Sequence, residues 1–443
     1  MSFELKKYKL AEIADVQTGP FGSQLHKDDY VPHGTPIITV EHLGENFIIH
    51  ENTPKVSNDD ALRLSKYSLC EGDIVFSRVG SVDRRAYVSK KEHGWLFSGR
   101  CLRVRVNKKD KIDPKYLSYY FGLESFREYV RSIAVGATMP SLNTKIMSSL
   151  EIQAPELNVQ VAISKLLSSL DKKIELNNAI NKNLEEMAQA LFKRWFVDFE
   201  FPNENGEPYK SSGGEFEESE LGLIPKGWKQ GTISELGEVA GGATPSKKNE
   251  DFYTVRGIPW ITPKDLSKTN NKYISRGEID ITQKGFSNSS VKLLPKGTVL
   301  FSSRAPIGYI AIAKNEVTTN QGFKSVIPFK HVGSEFVYYL LKSNVETIES
   351  RASGSTFKEI SGTEMKRVPV LIPTENVLAK FNEIVEPIGK LTQKCEEENE
   401  DLTQIRDTLL PKLMSGEIRV PVEQDHSAPD LPMVAGKSAT YQP

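Results

Sequence analysis

Cysteine is scarce in this chain of 443 residues. Cys70, Cys101 and Cys395 are too few and too scattered for a disulfide framework or a zinc site, and they suit a reducing compartment. Long apolar runs are missing as well. Nothing reaches the roughly 18 consecutive apolar residues of a membrane helix, and the opening "MSFELKKYKLAEI" has no apolar signal core, so a cytoplasmic location without a membrane partner is expected. The histidines, among them His26, His33, His42 and His50, lack both an i, i+4 spacing and a nearby cysteine pair, and no metal is expected. A phosphate loop is absent, since "GGATPSKK" at Gly241 to Lys248 has no second glycine before its lysine and reads as a surface turn. There is also no glycine-rich cofactor loop after an early strand. No Asn or Asp is followed by two prolines and an aromatic, the pattern of amino-methyltransferases that act on DNA. Pairs such as Asp265 with Lys268 are too common to signal a nuclease. These absences leave a chain that binds without catalysing, with no catalytic residue and no cofactor of its own.

What is present is a repeat. "GTPIIT" at Gly34 to Thr39 returns as "GIPWIT" at Gly257 to Thr262, an offset of 223 residues. "LAEIADVQTG" from Leu10 matches "ISELGEVAGG" from Ile233 at the same offset, and "LCEGDIVFSRVGSV" from Leu69 lines up with "LPKGTVLFSSRAPIG" from Leu294 after small insertions. Later, "GATMPSLNTKIMSSLEIQAP" from Gly136 pairs with "GSTFKEISGTEMKRVPVLIP" from Gly354 at an offset of 218, which then holds without a gap to Leu191 and Leu409. The matches keep their order, so the chain is two copies of a unit of about 220 residues. Each unit joins a module variable in length to a segment constrained in length.

The first part of each unit reads as mixed α/β. Glycine and proline punctuate short β-branched runs such as "GTVLFSS" and "GYIAIA", and one amphipathic helix is expected at Tyr116 to Arg131, with a counterpart at Glu335 to Ser350. The second part carries a four-three apolar spacing: Val377, Phe381, Ile384, Ile388, Leu391, Cys395, Glu398, Leu402, Ile405 and Leu409. Subtracting 218 gives Val159, Ile163, Leu166, Leu170, Lys173, Asn177, Ile180, Leu184, Met187 and Leu191. This is a coiled-coil seam. Antiparallel pairing about a pseudo-twofold sets Lys173 opposite Glu398, Leu166 opposite Ile405, Leu170 beside Leu402, Ile180 opposite Leu391 and Met187 opposite Ile384. A buried polar layer of Lys173, Asn177, Cys395 and Glu398 would fix the register, the alternative being that Lys173 and Glu398 reach solvent.

The expected fold class is therefore α+β, with two mixed α/β recognition domains separated by two long antiparallel coiled-coil helices in a pseudo-twofold repeat. The expected boundaries are residues 1–155 for the first domain, 156–198 for the first long helix, 199–228 for a linker, 229–374 for the second domain, 375–416 for the second long helix and 417–443 for a disordered tail. The linker reading rests on Asp198 to Glu220, which holds eight acids and one lysine.

A helix of about 40 residues spans roughly 60 Å. Two related but unlike modules on such rods suit two related but unlike sites, as duplex DNA offers to paired readers. Local charge favours that partner. The formal net charge is only -1, yet Arg78 to Lys115 holds twelve Lys/Arg against four Asp/Glu. Arginine bridges guanine O6 and N7, and lysine neutralises phosphate. The candidate DNA-binding residues are Arg78, Arg84, Arg85, Arg100, Arg103 and Arg105 in the first module and Arg256, Lys264, Lys292, Arg304 and Lys324 in the second. Thr138 and Asn143 join them from the loop at Gly136 to Asn143, and Thr356 and Lys358 from the loop at Gly354 to Ser361. The candidate helix-pairing residues are Leu166, Leu170, Lys173, Asn177, Leu184, Ile384, Leu391, Glu398, Leu402 and Ile405.

"GGATPSKKNEDFYTVRGIPWITPKDL", "LPKGTVLFSSRAPIGYIAIA", "TNQGFKSVIP", "LFKRWFVDF" and the closing "LLPKLMSGEIRV" together resemble the specificity subunit of type I restriction-modification enzymes, over about Leu10 to Val420. The resemblance implies two target recognition domains, each reading half of a split double-stranded DNA sequence, with the helices setting the unread gap. It further implies two modification subunits docked along the helices, which methylate adenine from S-adenosylmethionine, and restriction subunits that use ATP and Mg. None of that chemistry would lie on this chain. The first module departs from the pattern, with "GPFGSQLHKDDY" in place of "GGATPS". Two readings of other classes stand beside it: a stand-alone DNA methyltransferase or nuclease, and a two-headed scaffold that binds no DNA.

Overall fold

The computed structural model describes residues 4–421 except 23, 137 and 355–357; the tail from Pro421 onward, beyond that one residue, and Thr356 lie outside the described residues. The chain divides into two compact units. One takes in the sequence up to Lys172 and again from Leu402; the other runs from Lys173 to Asp401.

In the first unit an antiparallel sheet runs in the order Ala14–Thr18, Cys101–Val106, Ile74–Ser77, Arg85–Tyr87. In the second unit the corresponding order is Gly237–Gly241, Lys324–Pro328, Val299–Ser303, Ile307–Ala313, with Tyr273–Ile274 added at the edge. The same topology has thus been built twice. Each unit also closes its ends with an antiparallel ribbon, Lys6–Lys9 with Glu151–Ala154 in one and Lys229–Thr232 with Pro369–Ile372 in the other. The segments quoted first fall on equivalent strands: Thr35–Ile38 pairs in parallel with Leu96–Phe97, and Trp260–Ile261 pairs in parallel with Thr318–Thr319. Their glycines recur for a steric reason. A Cβ on Gly34 would lie 2.0 Å from the Val56 carbonyl oxygen, and one on Gly257 would lie 2.5 Å from that of Ile281. Backbone approaches this close exclude every other residue type.

The expected amphipathic helix is split in both units. Pro114–Tyr120 and Glu124–Ile133 stand in one, Ser334–Ser343 and Val345–Ser350 in the other. Each first half carries the aromatics that fill its unit's core, Tyr116 and Tyr119 in one case and Phe336 and Tyr339 in the other.

The two long helices are Leu157–Phe192 and Glu375–Ser415, and within each unit they run antiparallel. In the first unit Asp171 Oδ1 lies 2.9 Å from Arg406 Nη1, and Ile163 and Leu167 share a core with Leu413 and Met414. In the second, Asn178 meets Asn399 at 2.8 Å, and Phe192 packs 6.1 Å from Phe381. Lys173 Nζ lies 3.0 Å from Glu398 Oε2, the pair that the sequence sets together, and forms a diagonal across this register.

The polar layer differs from expectation in its burial. Asn177 and Cys395 are buried, whereas the Lys173 and Glu398 side chains are each 43% exposed. Asn177 carries the layer, donating to Glu398 at 2.8 Å and to Asn399 at 3.0 Å and accepting from Lys173 at 3.1 Å. The apolar seam is also corrected. Leu166 is 38% exposed, and Ile384, Leu391 and Ile405 are each 46% exposed, so Leu166 does not bury itself against Ile405. Leu170, Leu184 and Leu402 are half-buried. Within each unit the stretches of both helices pack on the sheet domain as well as on one another, so the buried stripe follows the 3.6-residue repeat of a globular core and drifts off the heptad. Leu378, Phe381, Val385, Gly389, Thr392 and Glu396 are buried on the second helix accordingly.

The stretch read as a solvated acidic linker is folded. The first long helix ends in a π turn at Lys193–Val197, and Phe216–Ser219 forms a hairpin with Gly222–Pro225. Phe201 stacks between Tyr209 at 4.6 Å and Trp228 at 5.1 Å. The acids lie on the surface while aromatics between them fill the inside. Among the described residues no helix is long and apolar enough to cross a membrane.

Candidate nucleic-acid interface

In the first unit, the pairing of Ile74–Ser77 with Cys101–Val106 continues past Ser77 and Cys101, where the Arg78 N–H donates to the Arg100 carbonyl at 2.8 Å. Two arginines therefore face one another across the end of the ladder. Arg100 is exposed. Arg78 donates through Nη1 to the Gly99 carbonyl at 2.9 Å and holds its guanidinium 6.0 Å from the ring of Phe21, itself 57% exposed. The loop after the split helix is stitched to this end: the Leu142 N–H donates to Arg78 and the Gly80 N–H to Pro140, both at 2.9 Å. That brings exposed Thr138 and Met139 to the same surface. Asn143 is partly committed, because its Oδ1 caps the helix Thr144–Ser148 by accepting from the Ile146 N–H at 2.8 Å.

The other arginines of this module are used within the fold. Arg85 is 3% exposed and donates to Glu45 at 2.8 Å and to the Ser118 carbonyl at 2.9 Å; burial holds its guanidinium below the ordinary value, against the pull of Glu45. Arg103 is 7% exposed and donates to the Ser68 carbonyl, and burial again lowers it. Arg105 forks onto Asp73 at 2.7 and 2.6 Å, and those hydrogen bonds raise it. Arg84 donates to the Leu43 carbonyl. In this conformation Arg85, Arg103 and Arg105 are therefore not offered to DNA. Buried guanidiniums need acceptors, and this module supplies them from Ser68, Asp73 and Glu45.

In the second unit the same end of the sheet has different chemistry. Arg304 Nη1 lies 3.2 Å from Glu359 Oε2, and Lys324 Nζ lies 3.3 Å from Glu359 Oε1. Glu359 is held in place by a bridge to Ser353, with N–H to carbonyl distances of 2.9 and 3.1 Å, and by a backbone bridge to Arg304. The "GGATPS" turn is equally fixed: Trp260 Nε1 donates to the Ala243 carbonyl at 3.1 Å, the Tyr253 hydroxyl to the Pro245 carbonyl at 2.6 Å, and Thr244 to the Gln321 side chain. Lys247 and Lys248 follow it at the surface. Arg256, Lys292 and Lys358 are exposed, and Lys264 pairs with Glu278 at 3.4 Å. Lys264 and Arg256 lie on other segments than the ladder end that gathers Arg304, Lys324 and Lys358. Sequence reasoning passed over Gln321 and Glu359. The repeat could have found Glu359, since it occupies the position of Ser141 in the first copy.

Residues 4–186 and 225–405 each match the family model of the type I restriction modification DNA specificity domain. The MjaIX specificity subunit of Methanocaldococcus jannaschii, a type I restriction enzyme, is 45% identical over 193 residues, which are 43% of this chain and 44% of that protein. The HindI specificity subunit of Haemophilus influenzae is 27% identical over 409 residues, 80% of this chain and 88% of that one. Among solved structures, the S subunit of a type I restriction-modification system from M. genitalium superposes with a TM-score of 0.60 at 16% identity, covering 93% of this chain and 96% of that one, a likeness of fold.

Proposed function

The chain belongs to the type I restriction-modification DNA specificity family, and on that footing we propose that it reads a bipartite double-stranded DNA target, one half-site by each module. The observation that carries the reading is the duplicated sheet whose equivalent ends bear unlike side chains, Arg78 and Arg100 in one copy and Arg304, Lys324 and Glu359 in the other. Equal scaffolds with unequal surfaces suit two half-sites of different sequence.

The chain supplies recognition and no chemistry. Two modification subunits would dock along the long helices and methylate adenine from S-adenosylmethionine, and restriction subunits would add ATP- and Mg-dependent cleavage. Support for docking comes from apolar side chains left bare on those helices: Met187 at 59%, Leu176 at 54%, and Ile384 and Leu391 at 46% exposure. The helix lengths, 36 and 41 residues, would set the number of base pairs left unread.

Selection of bound duplexes from a random library by the chain assembled with modification subunits tests this. A motif of two specified parts around a fixed gap is expected, with affinity falling steeply as salt rises because phosphate contacts release counterions. An unsplit motif, or affinity indifferent to salt, would overturn the proposal.

A further inference from the structure

In the second unit the strands Val299–Ser303 and Lys324–Pro328 keep a constant register, with Val299 opposite Val326 and Ser302 opposite Phe323. The Ser303 N–H donates to the Gly322 carbonyl at 2.7 Å, extending it. Arg304 and Gln321 each lie one residue beyond this bonded pair, at the same end of the sheet, Arg304 bridged through its backbone to Glu359 and Gln321 in a turn. Each has a hydrogen-bonding neighbour. Glu359 holds Nη1 of Arg304 at 3.2 Å, and Nη2 and Nε make no hydrogen bond among the described residues. The Thr244 hydroxyl donates to Oε1 of Gln321, which leaves one lone pair of that oxygen, and the amide hydrogens make no hydrogen bond among the described residues. Arg304 is half-buried and Gln321 is exposed.

Thr244, Gln321, Arg304 and Glu359 thus gather at one end of the sheet, as two long planar groups that each have a fixed support. A planar group with one donor and one acceptor fits adenine at N6 and N7, and a fork of donors fits guanine at O6 and N7. Support by a rigid neighbour keeps such groups in reading geometry. We infer that Arg304 and Gln321 are the base-reading pair of the second module, taking a guanine and a nearby adenine in the major groove, with Glu359 and Thr244 as their positioning residues. The first module, where Arg78 faces Arg100 and Ser141 replaces the acid, lacks this pairing of an amide with a buttressed arginine. The inference rests on the reading of the chain as a DNA specificity subunit and adds which bases it takes and through which atoms.

The test repeats the duplex selection with the full chain in complex with modification subunits, using Arg304→Lys, Glu359→Gln, Gln321→Ala and Thr244→Val, with Arg100→Ala as the control. Arg304→Lys keeps the charge and loses the fork. It should relax one guanine position about tenfold or more, and Glu359→Gln should relax the same position and no other. Gln321→Ala and Thr244→Val should both relax one adenine position within a base pair or two of that guanine. Arg100→Ala should disturb only the other half-site. Thermal melting identifies any variant that does not fold, and the conservative Arg304→Lys then decides the case with Gln321→Ala. Bound variants that still select the unaltered motif would overturn the inference, and so would a uniform loss of affinity across sequences, the mark of phosphate contact. A wild-type complex that selects no two-part motif would instead overturn the proposed function itself.

Discussion

Gly389, inside the second long helix, lies directly against Glu335: a Cβ there would come within 2.3 Å of Glu335 Oε1 and 2.4 Å of the Tyr273 hydroxyl. Neither oxygen is free to retreat. Glu335 is 5% exposed, accepts from Tyr273 and lies 2.5 Å from Lys272 Nζ, which in turn donates to the Tyr339 hydroxyl at 2.8 Å. Alanine in a helix interior ordinarily gains about 1 kcal/mol over glycine. Here the clash with a hydrogen-bonded cluster should reverse the sign, so Gly389→Ala is expected to lower stability by about 1–3 kcal/mol. Urea denaturation measures it, and a midpoint equal to or above that of the wild type would contradict the packing argument.

Two turns further along, Glu396 is 3% exposed and accepts the backbone N–H groups of Lys272 at 2.7 Å and Tyr273 at 3.1 Å, tying the helix to a strand. Burial pushes its carboxyl up to about 7, assisted by nearby Glu400, while the two N–H donors and Lys314 pull it down. A raised carboxyl binds its proton more tightly folded than unfolded. Its contribution is therefore fully present below about pH 4.5 and is lost as pH rises to about 7, a change on the order of 2–3 kcal/mol. Glu396→Gln resembles the protonated form at every pH. The stability of wild type relative to this variant should fall between pH 5 and pH 8, as read from denaturant midpoints at each pH. Parallel profiles would show that the carboxyl does not titrate in that window.

Arg85 and Arg100 are both arginines of the basic stretch, yet they should respond oppositely to replacement. Arg85→Ala removes a buried guanidinium that binds Glu45 and the Ser118 carbonyl, and a loss of about 2 kcal/mol is expected, moderated because Glu45 is itself 47% exposed. Arg100→Ala should leave stability within about 0.5 kcal/mol and either reduce the slope of log affinity against log salt by about 1 or relax one position of a half-site. Thermal melting and DNA titration at several salt concentrations separate the two. Equal effects on both readouts would erase the distinction between interior and interface.

Removing seven residues from each long helix in register shortens both by about 10 Å, or about three base pairs of duplex. The selected motif should then keep both its halves and lose about three unread base pairs. Removal from one helix alone should instead break the pairing around Asn177 and lower stability. An unchanged gap after the double removal would contradict the role given to the helices.

Much of the architecture was legible because duplication writes each constraint twice. The glycines of "GTPIIT" and "GIPWIT" both meet a carbonyl of a neighbouring strand, and the pairing of Lys173 with Glu398 followed from two residues out of character in an otherwise apolar spacing. The heptad reading failed at Ile384, Leu391 and Ile405 because spacing records where apolar residues recur and not how many surfaces a helix serves. Arg103 and Arg105 looked like surface cations because their acceptors, Ser68 and Asp73, are more than thirty residues away in sequence. The acid count of the 199–228 stretch masked Phe201, Tyr209 and Trp228, which hold it together. Glu359 was legible only as the acid that stands where the first copy has Ser141, and Gln321 carries no spacing signature at all, since its contact with Thr244 joins residues 77 apart in sequence.

The core of the first unit includes Leu413 and Met414, contributed by the end of the second long helix and packed with Ile163 and Leu167. During synthesis on a ribosome, therefore, the module encoded first must wait with its interior open until nearly the last described residue has emerged, while the module spanning Lys173 to Asp401 already has all its parts. The usual order of vectorial folding, amino-terminal domain first, is then expected to be inverted: a chain released between Asp401 and Leu413 would carry a complete second module and a first module whose core lacks Leu413 and Met414.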